Sequence, residues 1–316
     1  MIKSPSRWTI WIVFCLAVIP GRFTSAADSK NIGHIQVGRA MPATNTRVVD
    51  VDPPSQRNRF TPLPAGPLFD DLLADPRWPR LSASWLRYHQ DDRFKNVGAT
   101  SLGARIPFFN LDTAPLAGDK KWQFEVQAAA FSIFDMDGKS TDLINTDFQV
   151  AAALSWREGD TSAMTRIFHQ SSHLGDEFLL ANPAVKRMNL ILNGVDVIYS
   201  LEYLDAYRLY GGTGFLFDTN PDSFDPWHIR YGLEYQSPRS FVAHWIRPIA
   251  AVDCQQGDET GWDLSLSLVG GVQLENPQRP IRQMRILLEY FNGNSPDGQF
   301  YPDTIEHLGV GLRVHY

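Results

Sequence analysis

The side chains most suggestive of chemistry lie in His169-Gln170-Ser171-Ser172-His173, with Asp176 and Glu177 just beyond. A serine two residues from a histidine offers a nucleophile and a base. Asn189 and Asn193, a little further on, offer a group able to orient the imidazole, so His169, Ser171 and Asn189 are candidates for acyl transfer. Read as metal ligands, the same cluster supplies His169, His173, Asp176 and Glu177, because imidazole and carboxylate suit zinc. No second pair of ligands at fixed spacing accompanies them, and no metal is assigned. The less reactive alternative is a hydrogen-bonded loop network that closes the end of a larger structure. Which chemistry is open depends on the elements that carry these residues.

The last ten residues, His307 to Tyr316, show what those elements are. Leu308, Val310, Leu312, Val314 and Tyr316 alternate with Gly309, Gly311, Arg313 and His315, the period of a strand with one apolar and one polar face. A soluble sandwich would put more Lys, Glu and Thr on its polar face. A closing strand that ends on an aromatic residue resembles the terminal assembly signal of bacterial outer-membrane β-barrels. Mildly negative mean hydropathy argues against a helical membrane protein but not against a barrel, half of whose strand residues are polar. With 29 basic and 35 acidic residues, nucleic acid is excluded as a partner. Of the two cysteines, Cys15 lies in an N-terminal apolar run and Cys254 stands alone, so no disulfide framework is expected.

Residues 1–27 read as a secretory signal peptide: Lys3 and Arg7, an apolar core from Trp8 to Ile19, then Ser25-Ala26-Ala27 for cleavage. Residues 28–79, rich in Pro, Asn, Arg and Asp, read as a flexible periplasmic arm, mostly disordered. Within it, Leu68-Phe69-Asp70-Asp71-Leu72-Leu73 is short and amphipathic and fits either a turn resting on a rim or a plug. From residue 80 to 316 twelve segments show period-two character: 80–90, 97–108, 121–133, 144–156, 162–171, 188–202, 206–217, 228–236, 241–252, 262–275, 283–291 and 304–316. The expected fold class is all-β, a closed antiparallel transmembrane β-barrel of about 12 strands. Arg157 to Asp160, the turn at Asp205 and Ser237 to Ser240 read as tight turns, and longer links alternate with them; 109–120 is long where a short turn is needed.

A charge on a lipid-facing position near the midplane costs about 2–4 kcal/mol, so charged positions mark the inward face of each strand. Asp147, Arg166, Asp196, Arg230, Glu234, Arg285, Glu289 and Arg313 are thereby assigned to the lumen. They suit either a narrow pore selecting a small polar solute or paired struts that keep the lumen shut. Parity then turns Ile167, His169 and Ser171 toward lipid, with Asn189 and Asn193 outward near the same rim. Trp156, Tyr203, Tyr207, Tyr235 and Tyr316 would form an interfacial girdle at the opposite end. The outer loops hold Asp91, Asp92, Asp135, Asp137, Asp222, Asp225, Asp258, Glu259 and Asp297. Ca²⁺ bridging them to anionic headgroups would suit hard-oxygen coordination, against the simpler reading of a solvated acidic surface; no other cofactor is expected.

Four segments, Leu72 to Pro79, His169 to Phe178, Leu233 to Arg239 and Tyr290 to Tyr301, resemble a family catalogued only as domain of unknown function 1207. The resemblance implies a secreted outer-membrane barrel over about residues 68–316 and no activity. The His169-x-Ser171 pair is separately similar to that of outer-membrane phospholipases and lipid A deacylases, which follow the Ser with Asn where this chain has Ser172. The expected function is thus a narrow channel or structural barrel in the outer membrane of a Gram-negative-type cell, with an outer-leaflet lipid esterase as the alternative. The expected partners are outer-membrane lipid and, through the C-terminal strand, the barrel-assembly machinery.

Overall fold

Alternating side chains give each strand two chemically different faces, and a sheet built from such strands is stable in a membrane only if it has no open edge. The computed structural model describes residues 58–89, 93–113, 120–138, 140–241, 245–275 and 283–315. Its strands are β1 (Arg59–Pro62), β2 (Leu81–His89), β3 (Asn96–Asp112), β4 (Lys121–Asp135), β5 (Asp142–Glu158), β6 (Thr161–Leu174), β7 (Leu190–Tyr203), β8 (Tyr207–Asn220), β9 (Trp227–Gln236), β10 (Ile246–Gly257), β11 (Ser265–Glu275), β12 (Gln283–Asn294) and β13 (Thr304–His315). From β2 onward each strand pairs antiparallel with the next, and β13 returns to β2 with Val310 opposite Trp85 and Leu312 opposite Ala83. The result is a closed twelve-stranded antiparallel barrel, as the periodicity predicts. Each of the twelve predicted segments overlaps one of the strands β2–β13.

The extra strand β1 lies in the region read as a flexible arm. It pairs with the extension of β3, Arg59 opposite Asp112 and Pro62 opposite Phe109. That extension also explains the over-long link expected at 109–120. Residues to Asp112 and from Lys121 belong to β3 and β4, which pair to their ends. The link after β9 differs from its predicted tight turn at Ser237 to Ser240. β10 begins only at Ile246, and Phe241 forms a separate bridge with Ile246 across the intervening residues.

The outer wall carries Phe148, Val150, Leu154, Ile167, Val197, Leu209, Leu268, Ile286, Leu288, Leu308, Val310 and Leu312, all exposed. Contiguous apolar exposure of this kind marks a surface that meets lipid or another protein. Of the expected girdle, Tyr203 and Tyr207 are exposed and Trp156 and Tyr235 half-buried, while Tyr316 lies outside the described residues.

The barrel has a near end, where the chain enters, and a far end. One short helix, α1 (Asp176–Ala181), lies in the far-end connection between β6 and β7, and a 3₁₀ turn, Gly298–Phe300, lies in that between β12 and β13. Phe178 of α1, Phe300 of the turn and Phe94 of the β2–β3 link meet with ring centroids 5.8–6.1 Å apart. They bury against Leu86, Val97, Ile133, Ile144, Leu174 and Ile305. This aromatic lid packs inside the wall, and the Phe224 ring of the β8–β9 link meets that of Tyr301 beside it at 4.6 Å and a 46° tilt.

Candidate functional site: a plugged lumen

The lumen is filled by the chain's own residues 66–80, which precede the first barrel strand. Phe69, Leu72, Ala74, Asp75 and Trp78 are fully buried, so this part of the expected arm is an ordered plug rather than a loose tether. Phe69, Leu72 and Trp78 pack on Ala153, Met164, Ile198 and Tyr210, while Leu73 and Ala74 pack on Ile249, Ala251, Val269 and Leu287. Each large apolar side chain so buried stabilises the inserted state by about 1.5–3 kcal/mol.

A plug without regular secondary structure leaves backbone polar groups that must be satisfied inside the barrel. The inward polar residues do this. Leu68 N–H donates to Gln123 Oε1 (2.7 Å), and Gln123 Nε2 donates to the Gly66 carbonyl (2.9 Å). Leu73 N–H donates to Glu234 Oε1 at 2.6 Å. Arg208 donates to the carbonyls of Asp70 and Asp71 at 3.0 and 2.9 Å, and Arg313 donates to that of Leu73. Arg80 turns back on the plug itself, donating to the carbonyls of Leu72, Leu73, Asp75 and Trp78.

The plug's charges complete the wall's. Asp71 accepts from Trp78 Nε1 and Arg105 Nη1, both at 2.9 Å, and lies within 4.0 Å of Arg285. Burial alone would raise the Asp71 carboxyl; His315, Arg105 and Arg285 outweigh it and hold the group well below the usual carboxylate range. Asp75 pairs with Arg230, whose charge likewise overcomes burial and lowers that carboxyl. Trp78 sits between the guanidiniums of Arg105 (5.1 Å) and Arg166 (5.5 Å), and Phe69 lies under Arg208 at 4.7 Å. At the plug's apex Arg77 reaches Asp147 of β5 and Asp297 of the β12–β13 link, its guanidinium 4.1 Å from the Phe131 ring.

Of the eight residues assigned to the lumen, Asp147, Arg166, Asp196, Arg230, Glu234 and Arg313 are buried, and Arg285 and Glu289 are nearly so. Arg166 pairs with Asp196 at 2.7 Å and Arg208 with Glu234 at 3.2 Å, and Arg313 pairs with Glu289. Arg285 and Arg313 stand directly opposite in the β12–β13 register, a like-charge pair tolerated because Gln273, Glu289 and the plug's Asp71 surround it. Sequence reasoning left open whether Leu68–Leu73 plugs the barrel or rests on its rim, did not carry that segment on to Trp78, and missed Arg105 and Arg208 on the wall. The available signal was Phe69, Leu72, Leu73 and Trp78, four large apolar groups that a solvated arm has no use for. Between plug and lid a cavity of about 90 Å³ remains, lined by Arg77, Arg80, Ser84, Glu289, His307 and Arg313 among others.

The cluster around His169 lies on the outer wall near the far end. His169 is exposed and shares a 2.8 Å hydrogen bond between Nδ1 and Asn193 Oδ1, and Asn193 Nδ2 donates to Asp218 Oδ2 at 2.8 Å. Register selects Asn193, directly opposite His169. Asn189 stands exposed before β7 begins, and the hydrogen bonds among the described residues include none from Ser171 to His169. His169, Ser171 and Asn189 are therefore not brought together as nucleophile, base and orienting group. His173 meets Arg187 at 3.2 Å, and Asp176 and Glu177 open helix α1 of the lid. Among the described residues no three His, Cys, Asp or Glu side chains converge as metal ligands, whether in this cluster or in the acidic far-end links; Asp91 and Asp92 lie outside those residues.

A closed, fully antiparallel barrel with an apolar outer belt and an inward charge network has the fold of outer-membrane β-barrels. Two solved structures share it: outer membrane phospholipase A from Escherichia coli, at a TM-score of 0.51 and 9% identity over 76% of this chain and 93% of that one, and the Salmonella typhi outer membrane phospholipase dimer with bound calcium, at 0.51 and 12% over the same shares. The KdgM porin aligns over 75% of this chain and 99% of its own at a TM-score of 0.38 and 8% identity. At such identities the likeness is one of fold alone. No curated protein matches the sequence. The chain belongs to the family described as protein of unknown function, DUF1207, which matches residues 27–316.

Proposed function

We propose that this protein is an integral outer-membrane barrel whose resting state is shut, a structural barrel that conducts only if residues 66–80 leave the lumen. The observation that carries this reading is the continuous hydrogen-bonded and ion-paired contact between the plug and inward side chains from β3 to β13, among them Arg105, Glu234 and Arg313. An open porin needs a water-filled path along its axis. Here the inward charges are spent on the chain itself, which favours struts over a selectivity filter. Exposed apolar residues around the wall support outer-membrane lipid as the surrounding medium. The near end, where the chain enters and β13 finishes, would face the periplasm, with α1 and the 3₁₀ turn outside. The leader that would deliver the chain falls on residues 1–27, outside the described residues.

Single-channel recording in a planar bilayer tests this. The full-length protein is expected to be silent. Deletion of residues 58–79 should give steady conductance, because Arg105, Arg208, Arg230 and Arg285 would then line a hydrated lumen. Open-channel current from the intact protein would overturn the reading.

A further inference from the structure

Plug and lid share an acceptor. The Asp147 Oδ2 atom takes a hydrogen bond from Arg77 Nη2 at the plug's apex and, at 2.9 Å, the backbone N–H of Gly298 in the lid turn. Arg77 Nη1 in turn donates to Asp297 Oδ1 of the lid at 3.2 Å. Asn145 Nδ2 steadies the other oxygen of Asp147 at 2.9 Å, and Asn145 Oδ1 accepts from Ser172 Oγ at 3.2 Å. The neighbouring Gln299 pins the turn to the wall, donating to the carbonyls of Ser172 (3.1 Å) and Met188 (2.7 Å) and accepting from Met188 N–H (3.2 Å). Asp147 is fully buried and Asp297 is 5% exposed. An Arg77 that withdraws therefore leaves two desolvated carboxylates without their cation, and a lid turn that lifts away removes one of the two carboxylates that hold the Arg77 guanidinium. Neither event is cheap without the other.

We infer that the two closures form one interlock: loosening the far-end link 295–303 loosens the plug toward the near end, and the reverse holds with the same coupling. The inference rests on the plugged reading above and adds to it a route by which an event at the outer mouth reaches the chain that enters at the opposite mouth. Reciprocity follows from linkage, since one shared set of bonds biases both elements. The register of the wall need not change for this to occur, because Asp147 and Asn145 stay paired in β5 while either partner leaves.

Hydrogen exchange on the full-length protein in nanodiscs tests it, with the amides of Leu68–Trp78 and of Ser295–Asp303 followed separately. The probe variant is Gln299→Ala, because Gln299 holds the lid turn and has no bond to the plug. Exchange in Leu68–Trp78 should speed at least tenfold in Gln299→Ala and also in Asp147→Asn, which preserves volume should the first variant fold poorly. In Arg77→Lys the lid amides should speed up as well. Acceleration confined to the mutated end in every variant would overturn the interlock while leaving the plug in place. Unprotected Leu68–Trp78 amides in the wild type would instead overturn the plugged reading.

Discussion

The near-end plug and the far-end lid both occlude the lumen, but by different physics. The plug combines four large apolar side chains with a frame of arginines and carboxylates whose bonds run to its backbone, whereas the lid is chiefly an aromatic cluster, Phe94, Phe178 and Phe300, packed on aliphatic wall residues. An aromatic cluster needs only shape and dryness. A segment without regular structure has unpaired amides and carbonyls, and it can stay inside a barrel only if the wall satisfies them. The wall's inward charges are thus the condition for the plug, and the lid has little use for them beyond Asp147.

Substitutions can break that contrast. The largest effect is expected from Asp75→Leu, which strands the buried Arg230 guanidinium and should cost about 3–5 kcal/mol. The double variant Asp75→Leu, Arg230→Met should recover most of that loss, since an apolar pair of similar volume tolerates burial. The midpoint of heat-modifiable gel migration measures both. Absence of recovery would show that the plug's stability does not depend on matched charge. In the lid, Phe300→Ala should cost about 3 kcal/mol through the cavity it leaves, with no second-site charge substitution able to restore it.

A smaller effect sharpens the comparison where the two closures meet. Burial and the nearby Asp147 carboxylate outweigh Arg77 and Ser295 and push the Asp297 carboxyl up to about 6. A carboxyl raised in the folded state is held protonated more tightly there than in the unfolded chain. Its contribution is therefore most favourable below about pH 4, declines as pH rises to about 6, and is flat above, a loss on the order of 2–3 kcal/mol. Asp297→Asn keeps an acceptor for Arg77 and removes the ionisation. It should abolish that slope and leave the variant more stable than wild type near pH 7.5, read from the same midpoint between pH 4 and 8.

Much of the barrel was legible because period two is a local property. Leu308 to Tyr316 shows it in nine residues, and the cost of a charge in lipid then assigned Arg166, Glu234 and Arg313 to the interior without knowledge of any partner. Register was not legible. Whether His169 meets Asn189 or Asn193 depends on how β7 slides past β6 after a long connection, and nothing local to either strand encodes that offset. The choice between plug and rim turn was open for a related reason. Residues 66–80 have neither the 3.6 nor the 2.0 period, and their order comes from partners such as Gln123, Arg208, Glu234 and Arg313, tens to hundreds of residues away. Prolines and aspartates around Asp70 to Pro79 resemble solvated chain until the matching lumen charges are placed about them.

Whether Leu68–Arg80 occupies the lumen can be measured directly by thiol protection. In a background with Cys15→Ser and Cys254→Ser, Ala74→Cys places a thiol at a fully buried plug position and Leu180→Cys one at a position 81% exposed on the lid helix. A membrane-impermeant maleimide supplied to both sides of proteoliposomes should modify Ala74→Cys at least a hundredfold more slowly than Leu180→Cys. Equal rates would contradict the plugged barrel.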